Sequence, residues 1–143
     1  MQVHLAVMKV FLSYSQRDTV VARKIADGLR RQGLAVWVPE EEILPGDNWA
    51  GRISQALNEC DAMVALLTAN TPSSSNVQWE IGFALGNKAY SHRVIPVLVG
   101  SEAQSPAQAV PWILERFRVI RLSEPGQTDR TVDEIVETLA AAA

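Results

Sequence analysis

Asp61-Ala62-Met63-Val64-Ala65-Leu66-Leu67-Thr68 has no polar side chain between its two ends. Residues 62–68 have the length of a strand. Side chains alternate across a strand, so one that is apolar throughout must be covered on both faces, as in a parallel sheet packed between helices. The flanks agree. Upstream, Trp49, Ile53, Ala56 and Leu57 keep helical spacing behind Asp47 or Asn48, either of which suits a helix N-cap. Downstream, a Pro/Ser loop over residues 71–76 leads into a helix over residues 77–88 that carries Glu80 in its first turn.

The same alternation continues outward. Residues 10–14 (Val-Phe-Leu-Ser-Tyr) are a short β-rich run and predict strand one. Asp18 then offers an N-cap for a helix in which Val21, Ile25 and Leu29 recur every fourth residue beside Ala22 and Ala26, and Gly33 ends it. Arg23, Lys24, Arg30 and Arg31 fit the wet face of that helix. Residues 34–38 predict strand two. Residues 39–47 read as a loop with three successive acids, Glu40 to Glu42, followed by Ile43-Leu44-Pro45-Gly46. Strand four is expected over 93–99, a polar loop over 100–109, strand five over 119–122, and a closing helix over 131–142 capped by Asp129 or Thr131, with a frayed 140–143 end.

Strands alternating with helices predict an α/β fold. The expectation is a flavodoxin-like five-stranded parallel sheet of order 2-1-3-4-5 with helices on both faces. We read residues 1–143 as one domain with its core at about 9–122, and Met8 as an alternative start with residues 1–7 extending the first strand. The composition, 48% apolar and 20% charged, is that of a globular chain and not of a disordered one. A net charge of -3 without any basic block gives no pull toward nucleic acid or an anionic membrane. One cysteine, Cys60, cannot form an internal disulfide, and two distant histidines, His4 and His92, make no recognisable metal site. With no spanning stretch or secretion signal, a cytoplasmic location is expected.

In open α/β sheets ligands bind beyond the carboxyl ends of the strands, where the strand order reverses. For this order that point lies between strands one and three. The loops there bring Ser13, Tyr14, Ser15, Thr68 and Glu80 toward one crevice. No G-x-G-x-x-G follows strand one and no Walker A sequence occurs, so a phosphate-cradling glycine loop is unsupported. Acids expected of a phosphoacceptor domain are replaced by Ser13-Tyr14-Ser15 and Thr68. A serine nucleophile lacks a well-placed histidine base. What remains is a lone carboxylate. As an ordinary helix-start acid Glu80 would merely answer the helix dipole. On a helical wheel it borders the stripe formed by Val77, Ile81, Ala84 and Leu85, on the side of Asn76, Phe83 and Asn87, where desolvation is partial.

Three motifs in order resemble the TIR (Toll/interleukin-1 receptor) domain in its bacterial, enzymatic branch. They are Val10-Phe11-Leu12-Ser13-Tyr14-Ser15-Gln16-Arg17-Asp18; Gly33-Leu34-Ala35-Val36-Trp37 with Ile43-Leu44-Pro45-Gly46-Asp47-Asn48-Trp49, similar to the BB loop; and residues 73–80, ending on the family's catalytic glutamate. The resemblance implies cleavage of the nicotinamide–ribose bond of NAD, giving nicotinamide and ADP-ribose or a cyclic isomer, in bacterial anti-phage signalling. NAD enters as substrate, with no cofactor and no metal. Glu80 would stabilise the oxocarbenium-like ribose. Ser13, Tyr14, Ser15 and Arg17 would line the ribose–nicotinamide and phosphate side, with Thr68 and Asn76 also contacting substrate and Gly46, Asp47 and Trp49 contributed by the BB loop. Trp37 reads as core. The same resemblance implies self-association, or pairing with other TIR domains, through Ile43, Leu44, Pro45 and Gly46, and no direct contact with nucleic acid or membrane. The chain departs from the family at Asn76, where enzymatic relatives carry an aromatic residue, with Trp79 three residues on. It also departs at Val38-Pro39-Glu40, where an Asp is usual.

Two other functions compete. Glu80-Ile81-Gly82-Phe83-Ala84-Leu85-Gly86-Asn87-Lys88 is also similar to nucleoside 2-deoxyribosyltransferases and related N-glycosidases, whose glutamate attacks a deoxyribose. Those enzymes present an acid in the preceding loop, whereas this loop is Ser73-Ser74-Ser75. The other is a non-catalytic TIR adaptor that recruits partners through the BB loop.

Overall fold

A computed structural model describes residues 8–90, 93–100, 117–123 and 125–142. Its strands are β1 (Lys9–Ser13), β2 (Ala35–Trp37), β3 (Ala62–Leu67), β4 (Val94–Val99) and β5 (Ile120–Leu122). The helices are α1 (Thr19–Arg31), α2 (Pro39–Glu42), α3 (Trp49–Glu59), α4 (Ser75–Leu85) and α5 (Thr128–Ala142). All five strands are parallel, as the alternating pattern predicts, and stand in the expected flavodoxin-like order β2-β1-β3-β4-β5.

Every residue of β3 is buried, and its two alternating faces feed two separate cores. Ala62, Val64 and Leu66 pack with Val10 and Leu12 of β1 beneath α1 and α5. Met63, Ala65 and Leu67 pack with Phe11 beneath α3 and α4. Trp37 belongs to this second core and stacks on Phe11 with ring centroids 5.1 Å apart. Helix α1 ends as its glycine foretells. Gly33 takes a φ of 92°, its N–H donates to the Arg30 carbonyl, and the Leu34 N–H donates back to Leu29. Those two bonds close a Schellman turn, and Leu34 and Leu29 share the first core. Arg23, Lys24 and Arg31 lie on the wet face, while Arg30 is half-buried and pairs with Glu41 at 2.7 Å.

Several boundaries differ from expectation. Residues 39–47 are not loop throughout, because Pro39 opens the one-turn helix α2, its fixed φ suiting a first helical position. Asp18 precedes α1 but makes no side-chain cap, its carboxylate being held elsewhere. Helix α4 starts at Ser75, because Ser74 is its N-cap and accepts from the Val77 N–H, and it stops before Gly86. Helix α5 begins at Thr128 and stays helical through Ala142, where fraying was expected. The expectations for residues 1–7, for the loop beyond Gly100, and for His4 and His92 lie outside the described residues.

Helices α1 and α5 approach closely at Gly28, where an added Cβ would lie 2.6 Å from a methyl of Val132, a stiff β-branched side chain only 2% exposed. Gly28→Ala is therefore expected to lower stability by roughly 1 kcal/mol despite its better helix propensity. In a Val132→Ala background the same change should stabilise by about 1 kcal/mol. Urea denaturation of the four proteins checks this, and a Gly28→Ala that is stabilising in both backgrounds contradicts the packing described.

Candidate functional site

Strand parity decides which side chains meet at the carboxyl edge of the sheet. Ser13 follows Phe11 by two residues and faces the α3/α4 side, where it is fully buried. Its hydroxyl donates to Glu80 Oε1 at 2.7 Å. Glu80 itself is 4% exposed, well inside the helix border that the wheel suggests. The earlier start of α4 rotates nothing but moves Glu80 into the second turn, beyond the reach of the strongest dipole field. Burial dominates instead. It pushes the carboxyl up to about 7, opposed in part by the Ser13 hydrogen bond.

A small cavity of about 40 Å³ opens beside Glu80, lined by Tyr14, Gln16, Pro39, Glu40, Trp49, Ser74 and Asn76. Three of the expected residues, Tyr14, Trp49 and Asn76, thus share the cavity with Glu80. Tyr14 is buried, and desolvation, followed by the charges of Glu40 and Glu41, pushes its phenol well above the usual range. Trp49 is half-open at the rim, 39% exposed. Trp79 points outward at 51% exposure, tilted against Phe83, and does not line the cavity.

The other expected residues lie elsewhere. Thr68 has the parity of Leu66 and turns to the α1 side, where its hydroxyl donates to Asp18 at 2.7 Å; Asn70 donates to the other Asp18 oxygen at 2.9 Å. That carboxylate staples the loop after β3 to the loop after β1. Ser15 is buried and accepts from the Arg17 N–H within a 3-10 turn. Arg17 lines a separate recess of about 320 Å³ with Val20, Val21 and Lys24. Gly46 is exposed with a φ of 92°, and the Asp47 carboxylate accepts from the Leu44 N–H at 2.9 Å, folding the loop onto itself. Gln16, Pro39, Glu40 and Ser74 are not among the expected site residues, although Val38-Pro39-Glu40 stands out as a departure from the family pattern. For Glu40 a signal exists: it is the first acid beyond β2, which neighbours β1, so its loop falls on the same carboxyl edge.

A carboxyl whose folded value lies above its ordinary 4.5 binds its proton more tightly in the folded state. Stability is then highest below pH 4.5, declines as pH rises toward 7, and is flat above. Glu80→Gln keeps the Ser13 hydrogen bond without the charge. It should be more stable than the parent by on the order of 3 kcal/mol at pH 8, with little difference at pH 4. Denaturation at both pH values checks it, and a pH-independent difference contradicts burial as the cause. Thr68→Val is expected to cost about 1–2 kcal/mol by leaving Asp18 Oδ2 without its donor, while the Glu80 titration stays in place; carbonyl NMR of the Glu80 side chain reads the second half.

The geometry can be set beside known proteins. The TIR domain family model matches residues 10–137. The 2' cyclic ADP-D-ribose synthase BtTIR of Bacteroides thetaiotaomicron is 21% identical over 131 residues, covering 90% of this chain; the chain spans only 44% of that relative's length. Among solved structures, the metazoan TIR-STING receptor of C. gigas, in complex with 2',3'-cGAMP, superposes with a TM-score of 0.75 at 22% identity, over 93% of this chain and 39% of that one. The TIR domain of the Toll-related receptor TRR-2 of Hydra magnipapillata gives 0.72 at 17% identity, over 92% and 97%. The CMP N-glycosidase BcmB of Clostridium botulinum gives 0.54 at 18% identity, over 90% and 98%. At these identities the structures share the fold alone. The family model, matched along almost the whole chain, assigns the family: this chain belongs to the TIR domains.

Proposed function

We propose that this TIR domain cleaves the nicotinamide–ribose bond of NAD, with Glu80 as the carboxylate that stabilises the developing charge. The observation that carries the reading is Glu80 itself, a buried acid with one oxygen held by Ser13, beside a cavity walled by Tyr14, Trp49 and Asn76. Scission of the C1′–N bond sends both bonding electrons to the pyridine nitrogen, so nicotinamide leaves neutral and positive charge spreads over C1′ and the ring oxygen of the ribose. One fixed carboxylate in a water-poor site lowers the energy of that state without a metal or an acid on the leaving group. Water then forms the new C1′–O bond and loses a proton, giving ADP-ribose. Attack by a group of the substrate's own ribose or adenine gives a cyclic isomer instead. Tyr14, Trp49 and Asn76 are the substrate contacts we propose, with Ser13 acting through Glu80. Ser15, Arg17, Gly46, Asp47 and Thr68, separated from the cavity, are set aside for contact in this arrangement of the chain.

A cavity of about 40 Å³ holds a water or two, against the roughly 300 Å³ or more of an ordinary ligand pocket. NAD therefore requires the wall to give. The wall with room to move is Trp49 and the exposed loop before it, on which Leu44 is 65% exposed. We propose that a second TIR domain engages Ile43, Leu44, Pro45 and Gly46 and holds the site open. The biological setting we propose is NAD-consuming, anti-phage signalling in the cytoplasm. Among the described residues no helix is long and apolar enough to cross a membrane.

NAD turnover, followed by product chromatography on dilute and crowded protein, tests this. Parent activity should rise faster than linearly with concentration and drop at least about 10³-fold in Glu80→Ala. Because the carboxylate is the working form, kcat/KM should climb as pH passes through about 7 and level off above it. Parent and Glu80→Ala equally inert on NAD would leave the adaptor function standing. Cleavage of deoxynucleosides or CMP with NAD untouched would favour the N-glycosidase function.

A further inference from the structure

The cavity beside Glu80 is walled by two carboxylates, Glu80 and Glu40, and among the described residues no lysine, arginine or histidine lines it. Glu40 is not a loose surface acid. It stands next to Pro39 in the first turn of α2, and its position is fixed by two bonds to α1. The Thr19 hydroxyl donates to Oε1 at 2.7 Å, and the Arg23 guanidinium donates to Oε2 at 3.3 Å. The Arg23 side chain is 66% exposed, so water and salt screen it from the cavity far more than they screen the acids. Tyr14, in the same wall, senses the balance. After desolvation its phenol is raised by Glu40 and then Glu41, Arg23 opposes with a smaller effect, and Glu80 adds to the rise. The charged side chains in the wall are both acids, and the cation bound to Glu40 stands outside it.

We infer that Glu40 is the specificity determinant of this site, selecting an N-glycoside whose leaving base is a cationic pyridinium ring and rejecting neutral bases and anionic phosphate from the same position. The inference rests on the proposed NAD cleavage only in naming that base. A pyridinium ring against Tyr14 and Trp49 gains attraction from the aromatic faces as well as from Glu40. A nucleoside monophosphate would bring a dianion against two carboxylates with no cation in the wall, a repulsive element that separates this site from nucleotide-hydrolysing ones. The two acids then divide the reaction. Positive charge begins on the ring, beside Glu40, and moves to the ribose as the C1′–N bond breaks, beside Glu80. Glu40 thus stabilises the bound substrate more than the transition state, and its loss raises KM without lowering kcat.

The test needs no turnover for its primary reading. N-methylnicotinamide cation and neutral nicotinamide share a ring and a carboxamide, and their binding to crowded protein is followed by ¹⁵N shifts of the indole groups. The expected result is at least roughly tenfold tighter binding of the cation by the parent. That preference should fall to about twofold or less in Glu40→Gln, which keeps an acceptor for Thr19. It should fall much less in Glu41→Gln, which releases the same turn of helix from Arg30 and removes a charge that acts on Tyr14 from outside the cavity wall. In turnover, Glu40→Gln should raise the KM for NAD by about the same factor, with kcat raised and not lowered. Equal binding of the two rings by the parent, binding of neither, or a cation preference undiminished in Glu40→Gln overturns the inference. A cation preference without NAD cleavage overturns the proposed reaction and leaves the role of Glu40 intact.

Discussion

Strand β1 runs parallel to β3, with Val10 opposite Ala62 and Ser13 opposite Ala65, and the rest of the site depends on that register. It brings the loop after Ser13 beside the loop after Leu67 at the carboxyl edge of the sheet. Parity then sorts the side chains. Ser13 turns to the α4 side and meets Glu80, 67 residues away in the chain, while Thr68 turns to the α1 side and meets Asp18. A slip of one residue in β1 would send Ser13 into the opposite core and leave Glu80 without its hydroxyl partner. Two hydrogen-bonded links, one on each side of the sheet, thus come from a single pairing.

The carboxylate so placed sits in tension with the fold. A charge at 4% exposure with one hydroxyl partner is disfavoured, and its upward titration expresses that cost directly. The same lack of water makes its field strong at short range, which is the property a charge-stabilising group requires. The fold tolerates the burial because Ser13 supplies a donor and because the apolar faces packed on either side of β3 stabilise the fold enough to offset the cost. Glu40 resolves the opposite problem. It stays half in solvent, gains Thr19 and Arg23 as partners, and contributes field to the cavity from its edge.

Much of the architecture was legible from local pattern. Spacing of four in Val21, Ile25 and Leu29, the unbroken apolar run of β3, and Gly33 after α1 each belong to one short segment, and each element formed where its pattern stands. Boundaries are less legible. Local spacing starts helix α4 two residues late, because Val77 begins its apolar stripe, whereas the chain turns helical behind the hydroxyl of Ser74. Helix α2 was invisible to periodicity, since four residues of Pro-Glu-Glu-Glu hold no apolar face; it is secured by Arg23, Arg30 and Thr19 reaching across from α1.

The sequence by itself determined the element order, the doubly covered parallel sheet, the family motifs and the choice of Glu80 as the acid of interest. Those rest on periodicity and side-chain type, which neighbouring residues carry. Tertiary structure alone decided that Glu80 is buried and not bordering, that Ser13 holds it, that Thr68 and Arg17 face away, and that Glu40 joins the wall. Burial and hydrogen-bond partnership are properties of surfaces brought together from distant parts of the chain, and no local spacing records them.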